Sequence, residues 1–197
     1  MPASRSTKQV RDGTVRHAAA HIPLTSHSSL IMFSTSDLSD EHPGTTSVCQ
    51  LQFRSFGLRE HFSGPCATLR VQEDHRPVLR RLSAPGAGRV LVVDVGGSLR
   101  IGVFGDRLAG LAASNGWAGL VIHGVIRDSK TVNAIDIGVK ALGTTALRNA
   151  AEQPGSEDDV PLAFGGVTFT PGQWVYCDAD AVLVSPEAIR ATEPQAY

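Results

Sequence analysis

The apolar positions of this chain repeat with different periods in different stretches, and each change of period marks an element. Residues 89–95 form an almost unbroken apolar run, as expected of a strand buried on both faces. Residues 106–115 then place Leu108, Leu111 and Ala112 on one helical face, and Gly116 supplies the residue that ends such a helix. Residues 119–123 are a second buried strand. Strand, helix and strand joined by short links predict a parallel βαβ crossover.

Ahead of this core, the stretch Ser34, Thr35, Ser36, Asp37 reads as a helix start. It offers a hydroxyl cap, with Asp37, Asp40 and Glu41 near the positive end of the dipole and Pro43-Gly44 as the stop. Residues 49–53 are predicted as a short strand, 54–57 as a turn and 62–73 as a strand. Residues 75–83 read as a helix burying Val78, Leu79 and Leu82. Beyond the core, Asp128 or Ser129 is placed to cap a helix carrying Val132 and Ile135, and 139–143 is a short strand. Residues 150–159 form a polar loop. Stretches 160–164, 167–170, 174–178 and 181–185 read as strands, with turns at Gly165-Gly166 and Pro171-Gly172, and Pro186 starts a short C-terminal helix. The expected class is α/β: a layered α/β/β sandwich with a parallel βαβ core and added antiparallel strands, rather than a doubly wound Rossmann sheet.

The first thirty residues are polar and hold no sustained period. Residues 1–33 are therefore expected to be a disordered N-terminal extension, with Met32 a fitting alternative start, and 34–197 to be one domain. His17, His21 and His27 in that tail have a spacing that could bind metal, but a flexible tail is the stronger reading. The tail has no secretory h-region, and no apolar run is long enough to span a membrane, so a cytoplasmic protein is expected. A net charge of −1 gives no broad basic field for nucleic acid or a membrane surface. Cys49, Cys66 and Cys177 are widely spaced and match neither a zinc site nor a disulfide framework.

Candidate chemistry gathers at two short stretches. Gly105, Asp106, Arg107 and Leu108 open a helix, where free N–H groups and the dipole attract a carboxylate or phosphate. The plain alternative is an N-cap with Asp106 as the capping residue. Arg127 and Asp128 follow an apolar strand, at the strand end where open α/β sheets bind ligands. An Arg fork there can hold a carboxylate or an enolate oxygen, and Asp128 can hold a hard divalent ion. The plain alternative is a surface ion pair and a cap. His123 is a candidate auxiliary acid/base beside this site, with a satisfied buried histidine as the blander reading. Asp94 reads as a strand-end ligand or a turn residue. Gly96-Gly97-Ser98 is neither a dinucleotide fingerprint nor a Walker loop, so nucleotide binding is disfavoured. Of the lysines Lys8, Lys130 and Lys140, only Lys140 lies in an apolar segment suited to a Schiff base, and a metal-dependent route fits better.

Taken together, TSDLSD, RSFGLREHFSGP, LVVDVGGSLR, NGWAGLVIHGVIRD, DIGVKALGT, FGGVTFTPGQWVYCDAD and VLVSP resemble the RraA-like family in order and spacing, from Thr35 to Pro186. That family comprises the regulators of ribonuclease E activity A and the 4-hydroxy-4-methyl-2-oxoglutarate aldolases. The resemblance implies an α/β/β sandwich assembled as a homotrimer, or a hexamer of two such rings, with active sites between subunits. It implies a class II aldolase using a divalent metal cation, Mg²⁺ or alternatively Mn²⁺. Its substrates would be small 4-hydroxy-2-oxo dicarboxylic acids, cleaved to pyruvate, with oxaloacetate decarboxylation as a second activity. By the same resemblance Arg127 and Asp106 are catalytic, Asp128 holds the metal, and Gly105, Asp106, Arg107, Leu108 and Arg127 bind substrate. The alternative it carries is a non-catalytic regulator that binds and inhibits ribonuclease E. Members often carry Arg-Lys-Ser after ALGT, where this chain reads TTALRNAAEQPGSEDD, and Arg148 stands where it can replace some of that charge. The usual glycine after the Asp-Ala-Asp segment is Ala181 here. A methyltransferase label sometimes attached to such sequences finds no Gly-rich S-adenosylmethionine loop.

Overall fold

The computed structural model of the chain describes residues 33–189 other than 152 and 154. The expected extension and its histidines, apart from Phe33, lie outside the described residues.

Four parallel strands form the frame. These are β3 (Phe62–Arg70), β4 (Val90–Asp94), β5 (Gly119–Ile126) and β6 (Gly138–Thr144), adjacent in that order. Helix α2 (His75–Leu82) links β3 to β4, α3 (Asp106–Ser114) links β4 to β5, and the single turn α4 (Ser129–Val132) links β5 to β6. Antiparallel strands extend the frame. β2 (Arg54–Phe56) adds to β6, while β10 (Trp174–Cys177), β11 (Val182–Ser185) and β1 (Ser47–Val48) follow one another from the other side of β3. β3 serves both halves: its first residues pair with β10 and its later ones with β4. A short β7 (Glu157–Asp158) also pairs with β3, and β8 (Leu162–Phe164) and β9 (Val167–Phe169) form a separate hairpin.

Alternation along the buried strands builds two cores. Leu91, Val93, Leu120 and Ile122 face one way and pack against Val78, Leu82, Leu108 and Ala112 of the helices. Val90, Val92 and Val121 face the other way, against Val175, Cys177 and Val182 of the antiparallel strands and Leu162, Phe164 and Phe169 of the hairpin. The result is helices, parallel sheet and antiparallel strands in three layers, the expected sandwich. Each such side chain stabilises the fold by about 1.5–3 kcal/mol on burial. Helix α1 (Thr35–Glu41) is capped by Ser34, whose hydroxyl accepts from Asp37 N–H, and Asp178 anchors it by accepting from the Thr35 N–H and hydroxyl. No described helix is long and apolar enough to cross a membrane.

Several expected elements are corrected. Residues 49–53 are not a strand: the neighbouring Ser47–Val48 pairs with β11, while Cys49 and Gln50 N–H donate to the Val182 and Gly165 carbonyls. Residues 54–56 are an edge strand, and only Gly57 turns, at φ +82°. The strand expected to run to Glu73 stops at Arg70, and the chain turns through Glu73, at positive φ, into the Asp74 cap of α2. β5 continues past His123 to Ile126, with a shift of register between Ile122 and Val125. Helix α4 ends at Val132, and Ile135 packs on the core from outside it. Residues 186–189 are not helical. The Asp178–Ala181 turn closes without a glycine, because Asp178 accepts from both the Asp180 and Ala181 N–H groups.

Candidate active site

The carboxyl ends of the parallel strands on the helical side form a cleft of about 220 Å³. The segment after β4 returns along the end of β5. Gly102 pairs with Val125 in a parallel bridge, Val103 N–H donates to the Val125 carbonyl, and Arg127 N–H donates to the Phe104 carbonyl at 2.8 Å. This lacing puts the start of α3 beside Arg127 and Asp128. Two glycines allow the approach. A Cβ at Gly102 would meet Arg127 Cγ at 2.4 Å, and one at Gly105 would meet Asp128 Oδ2 at 2.7 Å.

The residues singled out in the sequence, Gly105, Asp106, Arg107, Leu108, Arg127 and Asp128, all line this cleft. The plain alternatives hold only in part: Asp128 does take the N-cap position of α4 and pairs with Arg127, but without a side-chain capping bond, and Asp106 is not a cap. Gly105, not Asp106, holds the N-cap position of α3, and Asp106 is the first helical residue. Asp106 Oδ1 accepts the Arg107 N–H at 2.6 Å. Asp128 stands at the N-cap of α4 in the left-handed conformation, φ 53° and ψ 34°, and its side chain makes no capping bond. Held in that conformation, a non-glycine residue is strained. Arg127 Nε is buried without a hydrogen-bond partner among the described residues, and one terminal nitrogen stands 3.7 Å from Asp128 Oδ1. The site thus keeps an uncommitted carboxylate and an orphaned donor at the start of a helix.

The other expected candidates lie elsewhere. His123 does not line the cleft: its Nδ1 is 2.8 Å from Asp94 Oδ1, and its ring stacks on Phe164 in the antiparallel layer at 4.4 Å. Asp94 also accepts the Gly96 N–H, a turn role. Burial opposes its ionisation, but the bonds from His123 and Gly96 outweigh that and hold its carboxyl below the usual range. Lys140 is buried away from the cleft, donating to Ser55 Oγ at 2.8 Å and the Ala179 carbonyl at 3.4 Å. Among the described residues no lysine lines the cleft, so none of them there can form a Schiff base.

Two further groups line the cleft. Arg148 arrives on a loop pinned at both ends: Gly102 N–H donates to the Leu147 carbonyl, and Gln153 N–H donates to Asp74. His75, read in the sequence only as a helix start, projects from the first residue of α2. Its signal was available: it begins the helix that follows a parallel strand, on the edge where ligands of such sheets gather.

The donors suit a hard divalent ion. Among the described residues no group of three or more His, Cys, Asp or Glu side chains forms a ready-made cage. What the cleft offers is the uncommitted Asp128 carboxylate, which lies against Gly105, with Asp106 the next residue after that glycine. One or two carboxylates, completed by waters and substrate, fit Mg²⁺ and not a structural zinc.

Comparisons with known proteins agree with this fold. A protein of Aromatoleum aromaticum, provisionally named 4-hydroxy-4-methyl-2-oxoglutarate aldolase, is 44% identical over 157 residues, covering 80% of this chain and 98% of its own. A similarly named protein of Laribacter hongkongensis is 45% identical over 80% of this chain and 98% of its own. The RNA-processing inhibitor RraA from Thermus thermophilis superposes with a TM-score of 0.76 at 42% identity, covering 81% of this chain and 96% of its own. A Geobacillus kaustophilus structure described as an S-adenosylmethionine:2-dimethylmenaquinone methyltransferase gives 0.75 at 44% identity, covering 80% and 97%. The sequence profile of RraA-like proteins (Aldolase/RraA) matches residues 35–184, and the chain belongs to that family.

Proposed function

We propose that this protein is a divalent-metal-dependent aldolase that cleaves 4-hydroxy-4-methyl-2-oxoglutarate, or a related 4-hydroxy-2-oxo dicarboxylic acid, to pyruvate, and decarboxylates oxaloacetate at the same site. The observation that carries this reading is the pairing of an orphaned Arg127 Nε with an uncommitted, strained Asp128 at the N-terminus of α3. Both reactions leave the enolate of pyruvate, and such a cleft can stabilise it.

The first-turn amides of α3 have no partner within the helix and receive the pyruvyl carboxylate. Arg127 directs its guanidinium at the oxygen on which enolate charge develops. Asp128 holds the divalent ion, Mg²⁺ or Mn²⁺, with Asp106 supporting its hydration. When bound, that ion supplies an electron sink for the 2-oxo acid. Arg148 takes the distal carboxylate. In this reading a neighbouring copy in a homotrimer closes the open side of the cleft.

A second reading, a non-catalytic regulator of ribonuclease E, draws on the Thermus neighbour named as an RNA-processing inhibitor. It requires no metal and no Asp128. The test is pyruvate release from both substrates, with Mg²⁺ and with EDTA, for wild type and Asp128→Ala. Metal-dependent turnover that falls at least about 10²-fold in the variant supports the aldolase. No turnover by the folded wild type with metal overturns it for these substrates.

A further inference from the structure

We infer that His75 is the base that accepts the C4 hydroxyl proton in the cleavage step; this rests on the aldolase reading above. Retro-aldol cleavage and decarboxylation share an enolate but differ in one respect. Only the first must remove a hydroxyl proton, and the cleft needs a group to take it.

Position selects His75. The pyruvyl end of the substrate lies at the start of α3 and against Arg127, while the distal carboxylate lies at Arg148. The hydroxyl-bearing C4 adjoins that carboxylate. His75 and Arg148 line the same cleft, and the Arg148 charge acts on the His75 ring. The other candidate bases are committed. Asp74 is buried and already accepts from the Arg76 N–H, the Arg76 guanidinium and the Gln153 N–H, each at 3.0 Å. Asp106 accepts the Arg107 N–H, and in the aldolase reading Asp128, 3.7 Å from Arg127, is engaged by the divalent ion with Asp106 supporting its hydration. His123 faces the opposite layer.

The surroundings keep the imidazole able to accept. Its Nδ1 is 3.7 Å from Asp74 Oδ1, beyond hydrogen-bond reach, so no carboxylate locks it as imidazolium. It sits on the first residue of an eight-residue helix, where the dipole disfavours a cation. Burial is the largest influence and pushes the ring below its usual range. Asp74 opposes this, and Arg76, Arg148 and Arg127 reinforce it. At neutral pH the ring is therefore neutral.

The step balances. His75 takes the hydroxyl proton, C4–O becomes a carbonyl and the C3–C4 bond breaks. Its electron pair forms the C2–C3 enolate, and a proton added at C3 completes pyruvate. Oxaloacetate loses carbon dioxide through the same bond with no hydroxyl proton to remove.

The experiment compares wild type, His75→Asn and His75→Gln, each verified as folded by thermal melting, on both substrates with Mg²⁺. The expected result is that the ratio of cleavage to decarboxylation falls at least about 10²-fold in the variants. The acid limb of wild-type kcat/KM for cleavage, inflecting below about pH 6.5, disappears with it. Independently of turnover, the His75 ring signal in the metal-free protein titrates below about pH 6.5 by NMR. A ratio that stays within about threefold, or a ring that titrates above that value, overturns the assignment while leaving the aldolase intact. A wild type inactive on both substrates overturns the aldolase and this assignment together.

Discussion

Polar side chains are used in opposite ways on the two sides of the parallel sheet. On the antiparallel side the protein consumes their bonding capacity. Asp178 accepts from the Thr35 N–H and hydroxyl and from the Asp180 and Ala181 N–H groups. His123 is held by Asp94 and stacked on Phe164, and Lys140 reaches Ser55 and the Ala179 carbonyl. In the cleft the protein leaves that capacity open: Arg127 Nε has no hydrogen-bond partner among the described residues, and Asp128 is strained without capping. Buried polar groups are normally satisfied, and strain persists only where the surroundings impose it. The closed set holds layers together, and the open set is left available to a ligand.

The largest effect that can break this contrast is on Arg127. Arg127→Ala is expected to lower kcat for pyruvate release about 10³-fold, because it removes the donor aimed at the developing enolate. The same change should move the melting midpoint by less than about 3 °C, since the wild-type Nε contributes no bond to the fold. Kinetics and differential scanning calorimetry on one preparation check both. A variant that melts far lower would make Arg127 part of the scaffold and dissolve the distinction.

Asp178→Ala should do the reverse. Losing the acceptor of four bonds is expected to cost about 2–3 kcal/mol, a fall of about 4–12 °C in midpoint, with kcat unchanged. The effect depends on pH. Burial raises the Asp178 carboxyl, but the bonds from Thr35, Ala181 and Asp180 together outweigh it and hold it below its usual 3.8. A depressed folded value means the stabilisation is present above the unfolded value and is lost as pH falls through the folded one. The gap between wild type and variant should therefore close below about pH 4, as urea titrations at several pH values would show.

What the sequence made legible follows the range of the contacts. Residues 90–94 and 106–114 announce themselves through local period, as do Gly105 to Leu108 and the Arg127, Asp128 pair, each a contiguous signal. Arg54–Phe56 escaped because an edge strand containing Arg and Ser lacks a buried alternation, and β5 was cut short because Gly124 interrupts its apolar run. Arg148 was noticed for its charge alone, and His75 not at all as a site residue. Both enter the cleft through distant bonds, Gly102 to Leu147 and Gln153 to Asp74, which no local pattern records. Likewise His123 is adjacent in sequence to the site yet faces away, because it shares a strand face with Val121 toward the antiparallel layer, whereas Arg127 lies beyond the end of β5 and escapes that alternation.

Lys140 gives the smallest effect and the finest test of the contrast. It is a buried cation in the closed set, and burial, the largest influence, lowers its affinity for a proton, while Asp178 and Asp180 pull the other way. Replacing a buried charge by an apolar chain of similar length is often neutral, so Lys140→Met should change stability by less than about 1 kcal/mol at pH 7. With a depressed folded value, the unfolded chain holds a proton that the folded one has released as pH approaches 10.5. Wild type should therefore gain stability relative to Lys140→Met as pH rises into that range. Turnover should be unaffected, and borohydride with pyruvate should trap no adduct on the wild-type protein. A folded Lys140→Met that released no pyruvate would move the chemistry to the antiparallel side, and a buried lysine bonded to Ser55 would then mark the site more truly than an orphaned arginine.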